Sequence, residues 1–360
     1  MQEYCYEEKI GENILERKEE SLLTDRYLRQ QLFKQIGSNG QKKIKNKHVL
    51  IVGAGALGSA GAEAFVRAGI GKLTIIDRDY VEWSNLQRQQ LYNEADAECQ
   101  IPKAIAAEKH LKKINSEVEI EALIMDAKAD NLGNLLSGVD VIIDGTDNFD
   151  IRFILNDLSH KYNIPWIYGS CVGSYGATYT VIPGRTPCLH CILKEVPAGG
   201  ATCDTAGIIS PAVQIVSAYQ VAEAFKILVD DFSMLRNTFL LFDVWSNQHH
   251  SIKLTKMKKE GCLTCGTMRT YPYLSYENQM KTEVLCGRNT VQIRPSRSIG
   301  YSFDQMEKRL CVHGKVARNP YLLSCQLQNY RLVIFRDGRV FIHGTNSIQL
   351  AKSLYHRLLG

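Results

Sequence analysis

Two Cys-x-x-Cys units, Cys188-Leu-His-Cys191 and Cys262-Leu-Thr-Cys265, stand far apart in a chain of 360 residues. Four thiolates at such spacing suit a tetrahedral zinc ion, and a closed set of four is a structural site. His190 lies inside the first unit and is expected on the solvent side, because the cysteines already complete the set. Neither unit opens a helix after a strand, which argues against a thioredoxin-like redox role.

A second group points to nucleotide chemistry. Gly53-Ala54-Gly55-Ala56-Leu57-Gly58 follows an apolar run and opens a helical pattern, so Gly53, Gly55, Ala56 and Gly58 are expected to bring backbone amides close to phosphate. NAD, FAD and ATP enzymes all use such a loop. Asp77 ends the next apolar run, where it suits a pair of ribose hydroxyls or, more blandly, is a turn acid. The loop Ser84-Asn85-Leu86-Gln87-Arg88-Gln89 follows at once. With Lys103 after Pro102, Asn85 and Arg88 place donors where a triphosphate extends beyond the ribose. Hydride transfer has no triphosphate to neutralise, whereas phosphoryl chemistry needs cations aimed at developing charge. Asp144-Gly145-Thr146-Asp147-Asn148 closes a further apolar run; Asp147 is the expected magnesium ligand, the alternative being a helix N-cap, and the two are compatible.

These residues need a frame. Strands are expected near 48–52, 72–76, 118–124, 139–143 and 164–169, with helices near 57–69, 103–114, 130–136 and 148–161. Such alternation implies an α/β fold, a Rossmann-like, doubly wound, mostly parallel sheet. Leu22 to Ile36 reads as one helix carrying Arg26 and Arg29. Antiparallel pairing from 175 to 182 and strands near 238–244 and 248–254 extend the sheet, and Pro211 opens a helix reaching about Val229. The expected division is a polar N-terminal tail over 1–21, a catalytic domain over 22–269, a linker over 270–282 and a small C-terminal α+β domain over 283–360. In that last domain, 290–293 reads as a strand, 302–310 and 347–359 as helices, and 330–343 as a hairpin turning at Asp337-Gly338.

Composition is that of a globular protein, with 45% hydrophobic and 22% charged residues. A net charge of +5 over this length does not imply nucleic acid, and the lysine runs at 42–47 and 253–259 read as solvated faces. No apolar run reaches the roughly 20 residues of a membrane helix, so no membrane is expected and the cytoplasm is the default. Eleven cysteines, an odd number without an export signal, favour metal or thiol chemistry over a disulfide framework. Cys171 is expected to be packed at a strand end.

The ordered set Arg26-Tyr27-Leu28-Arg29-Gln30, the glycine loop, Asp77-Arg78-Asp79, the 84–89 loop, Pro102-Lys103, Thr146-Asp147-Asn148 and the paired Cys-x-x-Cys units resembles the ThiF/MoeB branch of the ubiquitin-activating-enzyme superfamily over about residues 22–266. The resemblance implies a homodimeric enzyme that adenylates the C-terminal glycine of a small ubiquitin-fold sulfur-carrier protein ending in Gly-Gly, using ATP and magnesium. Asp77 would hold the ribose; Asn85, Arg88 and Lys103 would line the phosphates; Asp147 would bind magnesium; Ser84 and Asn148 are further candidates for the nucleotide site. Arg29 would reach into the partner subunit's site. Cys203, in the loop before the Pro211 helix, matches a position used for covalent or sulfur-transfer chemistry, its bland alternative being a small packed residue. A cysteine desulfurase or another sulfur donor is a candidate further partner. The carrier's body is expected on an apolar patch near 164–182. Two departures stand out: Ala56 replaces a glycine of some members, tolerable if its φ is negative, and Gln100-Ile101 replaces Gly-Gln before Pro-Lys. The rival readings are a nicotinamide-dependent dehydrogenase, which gives Asn85, Arg88 and Lys103 no joint task, and a zinc-stapled binder without catalysis.

Overall fold

The computed structural model describes residues 26–193, 206–275, 282–285, 289–293 and 302–359. Its first sheet has eight strands in the order β3-β2-β1-β4-β5-β6-β7-β8. β1 (His48–Val52), β2 (Lys72–Asp77), β3 (Glu119–Ile124), β4 (Val141–Asp144) and β5 (Trp166–Val172) run parallel. β6 (Tyr175–Val181), β7 (Thr238–Asp243) and β8 (Gln248–Lys253) add antiparallel strands. The central strands are apolar on successive residues because helices cover both faces. One face packs on α3 (Ala56–Arg67), α5 (Lys103–Ile114) and α9 (Ser210–Leu228), burying Phe65, Leu111 and Ala224. The other packs on α7 (Phe149–Tyr162), burying Phe153, Leu155 and Trp166. β1 lies between β2 and β4, so the chain leaves it in opposite directions across the sheet, the topology that sets a ligand crevice at the carboxyl ends of these strands.

The sequence pattern misses two features here. The expected 22–36 helix does not run to 36: α1 spans Leu28–Leu32 and ends where Phe33 turns extended, and α2 (Gly37–Lys45) follows, while residues 22–25 lie outside the described residues. α2 escapes the hydrophobic pattern because its inward side rests on Gly40, Gln41 and Ile44, while Lys42, Lys43 and Lys45 are exposed. Secondly, most apolar residues of 164–182 are core: Trp166, Ile167, Tyr179 and Val181 are fully buried, since β5 and β6 are covered on both faces. Within that stretch Tyr175 is exposed, and beyond it so are Leu241 on β7 and Ile252 on β8.

The second sheet is wholly antiparallel, in the order β11-β12-β13-β14-β10-β9, its last two strands being β9 (Thr282–Leu285) and the expected β10 (Thr290–Ile293). The expected hairpin is β13 (Arg331–Phe335) and β14 (Val340–His343), turning with Gly338 at φ 87. β11 (Lys315–Arg318) and β12 (Leu322–Gln326) are strands that the sequence reading missed. α10 (Phe303–Leu310) and α11 (Ile348–Leu359) close one face over Leu332 and Ile342. No helix among the described residues is long and apolar enough to cross a membrane.

Candidate nucleotide crevice and cysteine cluster

Two turns at the carboxyl ends of β1 and β4 press together. Gly53 has φ 94, and a Cβ on it would stand 2.7 Å from the Gly145 carbonyl oxygen; one on Gly58 would stand 1.8 Å from the Gly53 oxygen. Only glycine fits these contacts, and the close approach leaves the backbone of the loop bare toward the crevice. Gly55 has ordinary space around it. Ala56 begins α3 without positive φ, so its methyl is accommodated.

Asp77 binds this loop to its neighbour. Its Oδ2 accepts from Ala54 N at 2.6 Å and its Oδ1 from Asp79 N at 2.6 Å. Burial pushes its carboxyl up, while the Lys103 ammonium pulls the other way. Lys103, at the start of α5, is 2% exposed; its Nζ lies 3.4 Å from Asp79 Oδ2 and its backbone N donates to Asp79 O at 2.9 Å. Asp79, which the sequence reading left without a role, is thus the anchor of the buried lysine.

The polar loop folds as a short 3-10 turn, Trp83–Asn85. Asn85 is buried, and its Oδ1 accepts from Glu82 N at 3.1 Å. Arg88 is half-buried and bends back to Ser84, Nη1 to the carbonyl at 2.8 Å. At the end of β4, Asn148 caps α7 by accepting from Asp150 N at 2.7 Å. Asp147 is therefore not the cap and stands exposed. Asp144 is spent on Arg152, whose Nε lies 3.1 Å from Asp144 Oδ2 and whose Nη2 donates to Thr146 O and Gly169 O at 2.7 and 2.9 Å. This buried pair holds the turn and was not singled out from sequence; its polar types in an apolar context were the available signal.

Arg29 is exposed on α1 beside Leu28, Leu32 and Phe33. Among the described residues it forms no hydrogen bond or ion pair with the crevice. Cys203 lies outside the described residues. The chain resumes at Ala206, and Gly207 to Ile209 are fixed to the end of β5, with Gly173 N donating to Gly207 O at 2.8 Å and Ile209 N to Gly173 O at 3.0 Å. Cys171 is partly buried there and points its thiol at Ala212 O.

Gln100 has φ 48, the left-handed region, at the position where the family pattern has glycine. A side chain there costs about 1–2 kcal/mol. Gln100→Gly is expected to raise stability by about 1 kcal/mol after the added freedom of the unfolded chain is deducted. Urea denaturation would register a higher midpoint.

Cys188, Cys191, Cys262 and Cys265 are buried together, with all four Sγ atoms within 4.8 Å of one another. Neighbouring sulfurs are 3.4 to 3.8 Å apart, too far for disulfides. Tetrahedral zinc with bonds of about 2.3 Å sets sulfurs about 3.8 Å apart, so the cluster fits that ion. His190 is not on the solvent side as expected: its ring is half-buried, edge-on to Phe153 and Tyr273. The second unit is tied to α7, where Asp157 accepts from Thr264 Oγ1 at 2.5 Å and Tyr273 N at 2.8 Å.

Burial raises the Asp157 carboxyl to about 6 against these hydrogen bonds. With its folded value above the unfolded one, its stabilising contribution is complete below about pH 4 and is lost as pH rises through about 6. Asp157→Asn should therefore flatten the stability profile between pH 4 and 6 by on the order of 2 kcal/mol, readable by thermal denaturation across that range.

A model of the ThiF family matches residues 27–264. The chain is 52% identical over 341 residues to the sulfur carrier protein ThiS adenylyltransferase of Bacillus subtilis, covering 94% of this chain and all of that one. It is 32% identical over 270 residues to the sulfur carrier protein adenylyltransferase of Thermus thermophilus, covering 73% and 96%. The fold is that of E. coli MccB, solved with MccA-N7isoASN, at a TM-score of 0.57 and 23% identity over 68% of this chain and 75% of that one. Fold, crevice and full-length likeness together place the chain in the ThiF family.

Proposed function

We propose that this enzyme activates the C-terminal glycine of a ThiS-type, ubiquitin-fold sulfur carrier by adenylation, serving thiazole assembly in the cytoplasm. The observation that carries the reading is the 52% identity to a ThiS adenylyltransferase across that protein's whole length. A carrier carboxylate oxygen forms a bond to the α-phosphorus of ATP, the bond from that phosphorus to the β-bridging oxygen breaks, and pyrophosphate leaves with its electrons.

The crevice has groups for each part. Gly55, Ala56 and Gly58 offer backbone amides to phosphate, while Gly53, its own amide bound to Ile76 O at 2.9 Å, shapes the turn. Asp77 keeps lone pairs beyond its two backbone bonds, available to ribose hydroxyls. Ser84, Asn85, Arg88 and Lys103 line the polyphosphate, and Lys103, shielded from water, acts on developing charge more strongly than a surface lysine. Asp147, exposed beside the Asn148 cap, would be the carboxylate to hold magnesium, which when bound would supply charge neutralisation for the leaving pyrophosphate. Arg29, set among exposed apolar groups, suits a subunit contact that carries it into a second crevice. Cys203 stands four residues before the anchored Gly207, a place from which a thiolate could take the acyl group with loss of AMP. Zinc on the four cysteines would hold the 262–265 turn to the 188–191 turn that follows β6 and take no part in the reaction.

The test is isotope exchange. With the cognate carrier, magnesium and labelled pyrophosphate, label should return to ATP. A carrier lacking its last glycine should support none; NADH turnover without exchange, or no exchange at all, would remove the reading.

A further inference from the structure

The tail sheet turns its free face onto the segment that leaves β2. Tyr80 is buried there with Leu322, Val333, Phe335 and Phe341. Its hydroxyl lies 2.9 Å from His343 Nε2 and accepts from Arg331 Nη2 at 2.7 Å, and Arg331 also pairs with Glu82 at 2.9 Å. At the other end of the segment, Arg339 Nη1 donates to the Arg78 carbonyl at 3.1 Å. Arg339 is 4% exposed, its guanidinium lies 4.6 Å from the Phe335 ring centroid, its Nε bonds Asp337 at 2.5 Å, and its Nη2 has no hydrogen-bond partner among the described residues. Burial pulls the Arg339 guanidinium below its ordinary range, and Asp337 and, less strongly, Asp79 oppose this by favouring its charged form. Gln292 of the tail and Arg78 both donate to Asp126, at 3.3 Å each.

Burying an arginine with an unsatisfied nitrogen is costly, so its place under the crevice calls for a reason. Asp79 lies between the two residues that the tail grips, Arg78 and Tyr80. Lys103 is referenced to Asp79 twice, by its backbone nitrogen and by its ammonium. The line of contacts therefore runs from the tail through Arg78 and Tyr80 to Asp79 and on to Lys103.

We propose that the tail domain positions the adenylation machinery: Arg339 and Arg331 hold the Arg78–Glu82 segment at its two ends and, through Asp79, set where the Lys103 ammonium stands against the triphosphate of ATP. Neither arginine touches substrate; both are positioning residues. The inference rests on the adenylation reading above. It also gives a task to a domain that lies beyond residues 27–264 matched by the family model yet falls within a chain aligned over 94% of its length with the Bacillus subtilis relative.

The full-length chain carries the test. Arg339→Ala, Arg331→Ala and, as a packing control in the tail core away from the segment, Leu354→Ala would each be assayed for carrier-dependent pyrophosphate exchange and melting temperature. Misplacing a catalytic cation by a fraction of an ångström should lower kcat about tenfold while KM for ATP moves less than about threefold. Leu354→Ala should lower the melting temperature and leave kcat near that of the parent chain. Placed on an Asp79→Asn background, Arg339→Ala should add little further loss, because both act through one contact line. If Arg339→Ala fails to fold, the half-exposed Arg331 carries the same comparison. The proposal is overturned if the arginine variants shift only the melting temperature, or if the Arg339 and Asp79 losses multiply. An inactive parent chain would instead defeat the adenylation reading, so the two failures are distinct.

Discussion

Lys103→Ala is expected to reduce carrier-dependent pyrophosphate exchange by about a hundredfold to a thousandfold, the size of effect seen when a preorganised donor to developing charge is removed. Lys103 is buried and, among the described residues, its ammonium is paired with Asp79, so in the proposed site it would meet the triphosphate in a low-dielectric setting where little solvent screens it. Its loss also leaves Asp77 and Asp79 facing each other without the cation that opposes their mutual repulsion. Lys103→Arg keeps the charge but not the compact head, and should recover only part of the rate. Rates at saturating ATP, set beside circular dichroism of the variant, separate loss of chemistry from loss of fold. Near-normal exchange by a folded Lys103→Ala chain would displace this lysine from the site.

The second large effect concerns stability. Cys262→Ser breaks the closed set of four thiols, and the resulting loss of zinc affinity should cost on the order of 3–5 kcal/mol, because binding energy at such a site is folding energy. The 262–265 turn is held to α7 mainly by Asp157, through Thr264 and Tyr273, so without the metal this end of the domain has few other ties. Zinc content should fall from one ion per chain, and chelator treatment of the parent chain should reproduce the lowered melting temperature. ATP affinity at a temperature where the variant remains folded should change little, since the cluster and the crevice lie at different ends of α7: Asn148 caps its start, and Asn156 and Asp157 in its second half hold the cysteine units. A Cys262→Ser chain with unchanged metal content and melting point would refute a four-thiolate site.

Much of this was legible because the chemistry constrains residue types locally. The glycine loop needs close backbone contacts, and Gly53 and Gly58 make them with neighbours set by the sheet. The central strands read as continuous apolar runs because both faces are covered, and the hairpin at Asp337-Gly338 announced itself by its turn residues. The missed elements have a common cause: weak or short hydrophobic patterns. α2 buries a glycine and a glutamine on its inward side, and β11 is largely exposed. The patch at 164–182 was misjudged because an apolar strand reads the same whether a second helix layer covers it or not.

The amino-acid order alone determined which groups are candidates for the chemistry: a glycine turn, acids at strand ends, a cationic loop and four thiols are chemical types, and their types do not depend on where the chain carries them. Tertiary structure decided what each group has left to offer. Asp144 is consumed by Arg152 and Asn148 by the α7 cap, which leaves Asp147 exposed, and Asp79 holds Lys103 beneath a tail whose arginines come from some 250 residues further along the chain. The physical reason is that hydrogen bonds and burial between distant segments are settled only when the sheets close, and no local pattern records them.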